Sequence, residues 1–265
     1  MVKIFIDPGH GGNDPGASAN GLLEKDITLD IALQLKSILE SEYKNTDVRL
    51  SRTNDQTKSL TERTNEANRW NADYLLSIHI NAGGGEGFES YIWNGAYRSK
   101  SNTDKLRSVI HQANVEQLRW RDRGQKEANF HMLRESSMPA ALTENGFIDN
   151  VVEAKKMKTD TWVKKVAQAH ATGLQNALKL DKKPTKKDVF YRVVCGSFQD
   201  LNNAKERMNV LSKHGYDSFV DKYKMKNKIY YRVVVGSFQD KKNANDRMNQ
   251  LKKKGFDAFI DAVKP

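Results

Sequence analysis

The last third of the chain repeats itself. Residues 191–221 (YRVVCGSFQDLNNAKERMNVLSKHGYDSFVD) match residues 231–261 (YRVVVGSFQDKKNANDRMNQLKKKGFDAFID) at 20 of 31 positions, with a period of 40 residues. Each copy reads strand, helix, strand. Tyr191, Val193 and Cys195 alternate with period two, as do Tyr231, Val233 and Val235, and the intervening Val194 and Val234 make both faces apolar, the mark of a central strand. Ala204, Met208 and Leu211, then Ala244, Met248 and Leu251, fall at helical spacing over 203–213 and 243–253, and Gly215 and Gly255 follow as C-caps. One βαβ unit of this size cannot bury its sheet face alone, so the two copies should fold together as one small α+β domain of ferredoxin-like type, four strands and two helices.

The charge follows the same division. Cutting the chain before Asp181, where DKKPTKKD reads as a hinge around Pro184, leaves 24 Lys and Arg against 23 Asp and Glu in residues 1–180, and 20 against 10 in residues 181–265. The formal charge of +11 therefore belongs almost wholly to the C-terminal module. The expected domains are 1–180, a linker 181–188, and 189–265. A basic module suggests an anionic polymer as partner. Ferredoxin-like sheets also bind RNA by stacking bases on aromatics, but the RNP1 pattern is absent and nucleic acid is not the expected partner. No apolar run approaches the roughly 18 residues of a transmembrane helix, so membrane insertion is not expected. Cys195 is the single cysteine, which leaves His and carboxylate side chains as the candidates for any metal centre.

The repeat, with its doubled Y-x-V-x-x-G-S-F and later G-[YF]-D-[SA]-F, resembles the SPOR domain over roughly residues 188–264. That family binds glycan strands stripped of stem peptides, on the exposed face of its sheet. The resemblance implies Tyr191, Gly196, Phe198, Tyr231, Gly236 and Phe238 as contacts, with Arg192, Gln199, Arg232 and Gln239 as polar partners; the alternative is that the aromatics are core.

Residues 1–180 read as an α/β domain with chemistry at its strand ends. VKIFID (2–7) is a buried strand running into PGHGGNDPGA, which carries His10; ligands of α/β sheets sit at such carboxyl ends. A phosphate-binding loop is the other reading of these glycines, but the Walker lysine is missing. Ile27, Ile31, Leu35 and Leu39 mark an amphipathic helix over 22–43, with Glu24 at its N-terminus either favouring the helix dipole or projecting as a ligand. ADYLLSIHIN (72–81) places His79 at the end of a second core strand. PAALTENGFI (139–148) reads as a third, with Glu144 at its far end and Asn145-Gly146 as a turn. Two histidines at equivalent strand ends with a nearby carboxylate point to a metal, since His₂Glu leaves one tetrahedral position open for water. A further carboxylate, Glu144, is positioned to act as base, the alternative being a strand-end carboxylate bonded to backbone amides.

Several residues belong elsewhere. Asn81 is a candidate substrate contact. His131 is either a donor in the cleft or an ordinary polar neighbour; Arg134 pairs with a substrate carboxylate or with an acidic side chain of its own domain. Arg63 should pack or ion-pair on a helix over 61–70. His111 and His170 fall within helices and read as structural, His214 as a cap, Cys195 as a core hydrophobe, and Trp93 as a border of the substrate groove.

The four segments IFIDPGHGGNDPGA, GLLEKD, SIHINA and LTENGFI, in this order, resemble the zinc-dependent N-acetylmuramoyl-L-alanine amidases of the amidase-3 family over most of residues 1–178. The resemblance implies Zn²⁺ held by His10, Glu24 and His79, Glu144 as the catalytic carboxylate, and a twisted, mostly parallel sheet of about six strands with helices on both faces. It implies peptidoglycan as the substrate; anionic wall polymers are candidate partners for the basic module, and a monomer is expected. Amidase, linker and doubled module together most resemble the lytic amidases of sporulating mother cells and related phage endolysins. The N-terminus lacks the features of a signal peptide, so a chain made in the cytoplasm and reaching the wall after membrane lysis or by non-Sec release is expected. A zinc peptidase acting within the stem peptide and a non-catalytic wall-binding protein are the alternatives.

Overall fold

The computed structural model describes residues 1–183, 189–226 and 228–263. They form two compact units, Met1–Lys183 and Pro184–Pro265. Most of the expected linker, residues 184–188 with Pro184, lies outside the described residues.

The first unit runs β1 (Val2–Pro8), a two-residue pair β2 (Ser18–Ala19) and β3 (Leu22–Leu23), α1 (Glu24–Glu42), β4 (Thr46–Leu50), α2 (Leu60–Trp70), β5 (Tyr74–Asn81), β6 (Phe88–Trp93), α3 (Lys100–Leu118), β7 (Asp122–Ala128), α4 (His131–Arg134), β8 (Ala140–Phe147), α5 (Val151–Met157) and α6 (Asp160–Leu178). Its six-stranded sheet has the order β4-β1-β5-β8-β6-β7. The four strands β4, β1, β5 and β8 are mutually parallel, while β6 and β7 run the other way. Alternation along the strands sends Ile4, Ile6, Leu76, Ile78 and Ile80 to a core shared with Ile31, Leu35 and Leu39 of α1 and Val166 and Leu174 of α6. Phe5, Leu75, Ala140 and Leu142 point the other way, against Ala67 and Trp70 of α2 and Met132 and Leu133 of α4. Both faces are thus covered, and the apolar runs read as strands in the sequence are the buried strands of an α/β sheet.

Strand β8 differs from the expectation in one place. Asn145 and Gly146 are not a turn: the strand continues through them to Phe147, with a bulge where His79↔Glu144 gives way to Asn81↔Phe147. The Asn145 amide donates to the carbonyls of His79 and Thr143, and Gly146 takes the positive φ of 83° that a bulge requires. An Asn-Gly pair signals left-handed backbone, and a bulge uses it as readily as a hairpin turn.

The second unit contains β9 (Phe190–Phe198), α7 (Leu201–Lys213), β10 (Phe219–Met225), β11 (Lys228–Phe238), α8 (Lys241–Lys253) and β12 (Phe259–Val263). Its antiparallel sheet has the order β10-β11-β9-β12, the ferredoxin-like arrangement, with the first strand of each repeat in the centre. Val194 and Val234 are accordingly buried, as are Cys195 and Val235 at equivalent positions.

Candidate active site

His10 follows the end of β1 with a left-handed backbone, φ 62°. Two buried arginines hold that strained turn by its carbonyls. Arg52 donates through Nη2 to Gly9 O (2.9 Å), and Arg63 donates to Pro8 O (2.7 Å) and His10 O (2.6 Å). Arg63 also pairs with buried Asp7 (2.9 Å), which accepts hydrogen bonds from Ser51 and Ser77. The expected helix residue with an ion-pair role is therefore an anchor for the turn that carries His10. The Arg63 guanidinium and the two hydroxyls outweigh the effect of burial and hold the Asp7 carboxyl below its ordinary range.

Glu24 is the first residue of α1, and its carboxylate turns back across the strand ends. Oε2 accepts from Ala17 N (2.8 Å) and lies 3.2 Å from His10 Nε2; Oε1 accepts from Ile80 N (2.9 Å) and lies 3.0 Å from His79 Nδ1. The donor atoms of His10, Glu24 and His79 all fall within 4.8 Å of one another. Asp14 Oδ2 sits 2.8 Å from His10 Nδ1, leaving Nε2 toward Glu24; a carboxylate behind a histidine is the usual way to orient a metal-binding imidazole. Burial would lower the His10 pKa, but Glu24 and then Asp14 overcome it and push it up to about 9; His79 is raised against its burial by Glu24 and Glu144, and Glu24 is held well below the carboxylate range by the two histidines. Such a site concentrates negative charge where two imidazoles converge, and the donor set fits a four-coordinate metal with a position left open.

Glu144 stands beside this cluster on the next strand, in register with His79. Its Oε2 is buried and has no hydrogen-bond partner. Burial is the main cause that pushes its pKa up to about 7, opposed by His79 and assisted by Glu24 and Glu89. A carboxyl poised near neutrality beside a cluster that could hold a metal is suited to general acid and base work.

Other expected contacts are spread more widely. Asn81 donates to Glu89 Oε1 (2.8 Å). His131 opens α4 with Nε2 3.3 Å from Thr64 Oγ1, and Arg134 is held by Glu135 and by the Asn129 side chain. Trp93 stacks on Tyr97. His111 pairs with Asp122 at 2.9 Å, an acid supplied from the next strand and invisible to helical spacing. His170 lies between the side chains of Asn114 and Asn145.

In the second unit, Tyr191, Phe198, Tyr231 and Phe238 do not line the open face. They pack on the helix side against Val193, Cys195, Val233 and Val235. Gly196 and Gly236 break the strand alternation with positive φ, so Phe198 and Phe238 return to the side of Tyr191 and Tyr231. Each glycine is pressed by the phenylalanine two residues on. The open face instead presents Phe219 and Phe259, with Arg192 paired to Asp221 and Arg232 to Asp261. Gln199 donates to Tyr230 Oη.

Comparison with known proteins agrees with this geometry. Residues 4–176 match the family model described as N-acetylmuramoyl-L-alanine amidase, and residues 187–261 match the SPOR domain. The chain belongs to the N-acetylmuramoyl-L-alanine amidase family. It is 51% identical over 220 residues to the sporulation-specific N-acetylmuramoyl-L-alanine amidase of Bacillus subtilis, covering 83% of this chain and 84% of that protein. It is 45% identical over 184 residues to the endolysin of Bacillus phage SPP1, covering 68% and 67%. The amidase unit resembles the crystal structure of an N-acetylmuramoyl-L-alanine amidase from Clostridium difficile 630, with a TM-score of 0.64 and 36% identity over 67% of this chain and 97% of that one.

Four residues of this amidase site escaped the sequence reading: Asp14, Arg52, Asp7 and Glu89. Glu89 left the clearest trace, an acid inside the apolar strand segment FESYIW.

Proposed function

We propose that the N-terminal unit hydrolyses the amide joining N-acetylmuramic acid to the L-alanine of peptidoglycan, with Zn²⁺ held by His10, Glu24 and His79 and with Glu144 as general base. The observation that carries this reading is the buried, unpartnered Glu144 oxygen in register with His79. Bound to these three residues, zinc would act as a Lewis acid toward the amide carbonyl and acidify water. Glu144 takes the proton of the attacking water and returns it to the alanine nitrogen as the C–N bond breaks. Asp14 orients His10, while Arg52 and Arg63 hold the turn on which it stands. Residues 189–265 retain the enzyme on the wall, and the pairing of an amidase with a SPOR domain supports that division.

Glu144→Gln should keep the fold and bound zinc and lose turnover by about 10²-fold or more. Digestion of purified peptidoglycan, with mass analysis of the products, tests the reading directly: new alanine amino groups are expected, and a chelator should abolish them. An internal stem-peptide amine as the product would identify a peptidase instead.

A further inference from the structure

Beyond the metal cluster, the sheet continues a row of ionisable side chains. His79 on β5 is in register with Glu144 on β8, and Glu144 is directly opposite Glu89 on β6, so all three point to one face. Glu89 is almost fully buried and its two oxygens are filled. Oε1 accepts from Asn81 (2.8 Å) and from the Tyr91 hydroxyl (2.7 Å); Oε2 accepts from Arg123 Nε (2.8 Å) and Lys126 Nζ (2.6 Å), both on the edge strand β7.

The two cations exceed the charge they neutralise. Glu89 supplies one negative charge against two positive ones, and the side chains of Arg123 and Lys126 remain 30% and 37% exposed. Arg123 is fixed at Nε by Glu89 and by stacking on the Phe147 ring, 4.7 Å from its centroid. Its two Nη groups have no protein acceptor among the described residues. An arginine held at Nε with its outer fork unspent is a preorganised receptor for a carboxylate.

Resting on the amidase reading, we propose that Arg123 and Lys126 are specificity residues that bind a free carboxylate on the leaving peptide, borne by the residue that follows alanine. The spacing fits. Strands lie about 4.8 Å apart, so β7 stands roughly 10 Å from the strand of Glu144, and Arg123 reaches back toward β6. An amide held at Glu144 thus leaves the next residue of its peptide within reach of the two cations. Arg134, the arginine the sequence offered for this role, is occupied by Glu135 and Asn129.

The test uses the full chain loaded with zinc and two soluble N-acetylmuramoyl tetrapeptides, identical except that the second residue is γ-linked D-glutamate in one and D-isoglutamine in the other. The wild-type chain should favour the carboxylate substrate in kcat/KM by about tenfold, chiefly through KM, the strength expected of a charge-assisted hydrogen bond. Arg123→Gln and Lys126→Gln should each shrink that ratio, and Arg123→Lys, which keeps the charge without the fork, should retain part of it. Equal kcat/KM on the two substrates in the wild-type chain overturns the proposal and needs no variant. So does a folded Arg123→Gln protein that keeps the wild-type ratio. Release of a peptide with a new alanine amino terminus from neither substrate is a distinct outcome: it overturns the amidase reading, and this proposal with it.

Discussion

At the scale of single residues, the candidate metal site is shaped by two glycines as much as by its ligands. A Cβ on Gly9 would meet the His79 ring at 2.4 Å, and one on Gly16 would meet Glu24 Oε2 at 2.6 Å and the His10 ring at 2.7 Å. Gly9→Ala should therefore displace His79 and weaken zinc binding by roughly ten- to a hundredfold, read by competition with a chelator. Because the charge of Glu24 holds His10 protonated up to about pH 9 in the metal-free protein, zinc must displace that proton. Apparent affinity should rise with pH up to that value, and calorimetry in buffers of different ionisation enthalpy should detect the released proton. His170 shifts the opposite way. Burial lowers its pKa to about 3 from an ordinary value near 6.5. The unfolded chain binds this proton and the folded one does not, so His170 favours folding above pH 6.5. That contribution is lost as pH falls toward 3, by up to about 1.4 kcal/mol per pH unit. Its imidazole NMR signals should stay those of a neutral ring at pH 5.

Elements carry these residues into place through contacts far apart in sequence. Helix α2 starts with a capping box, in which Ser59 accepts from Glu62 N and the Glu62 carboxylate accepts from Ser59 N. Ser59→Ala should cost about 1 kcal/mol. Arg63→Ala should cost far more, about 3–5 kcal/mol in urea unfolding, because it strands Asp7 as a buried charge and frees the carbonyls that hold the His10 turn. The helix and the ion-pairing character of Arg63 were legible in the chain; its partner, 56 positions earlier, was not. Strand β8 teaches a similar lesson. Its apolar run and Glu144 were readable, but whether Asn145-Gly146 closes a turn or forms a bulge depends on the neighbouring strand that accepts the Asn145 amide.

On the scale of the whole molecule, the near-neutral residues 1–180 and the basic residues 181–265 divide the work in the proposed function. Deleting 181–265 should reduce retention on intact walls more than cleavage of a small soluble substrate, and salt should weaken the retention of the full chain, as a pull-down across ionic strength would measure. The repeat, its two central strands, the buried strands of the α/β unit and the residues that converge at their ends were all determined by the sequence, because periodicity and strand-end chemistry are local properties. Which face of the second sheet stays open was decided by tertiary structure. The bulges at Gly196 and Gly236 reverse the alternation and bring Phe198 and Phe238 to the helix side, where Tyr191 and Tyr231 already lie, while Phe219 and Phe259 of the flanking strands stay outside. Glu89, Arg123 and Lys126 likewise became a cluster only when the chain laid β7 beside β6. Period and composition report which residues a strand contains; the pairing of strands decides what each side chain meets.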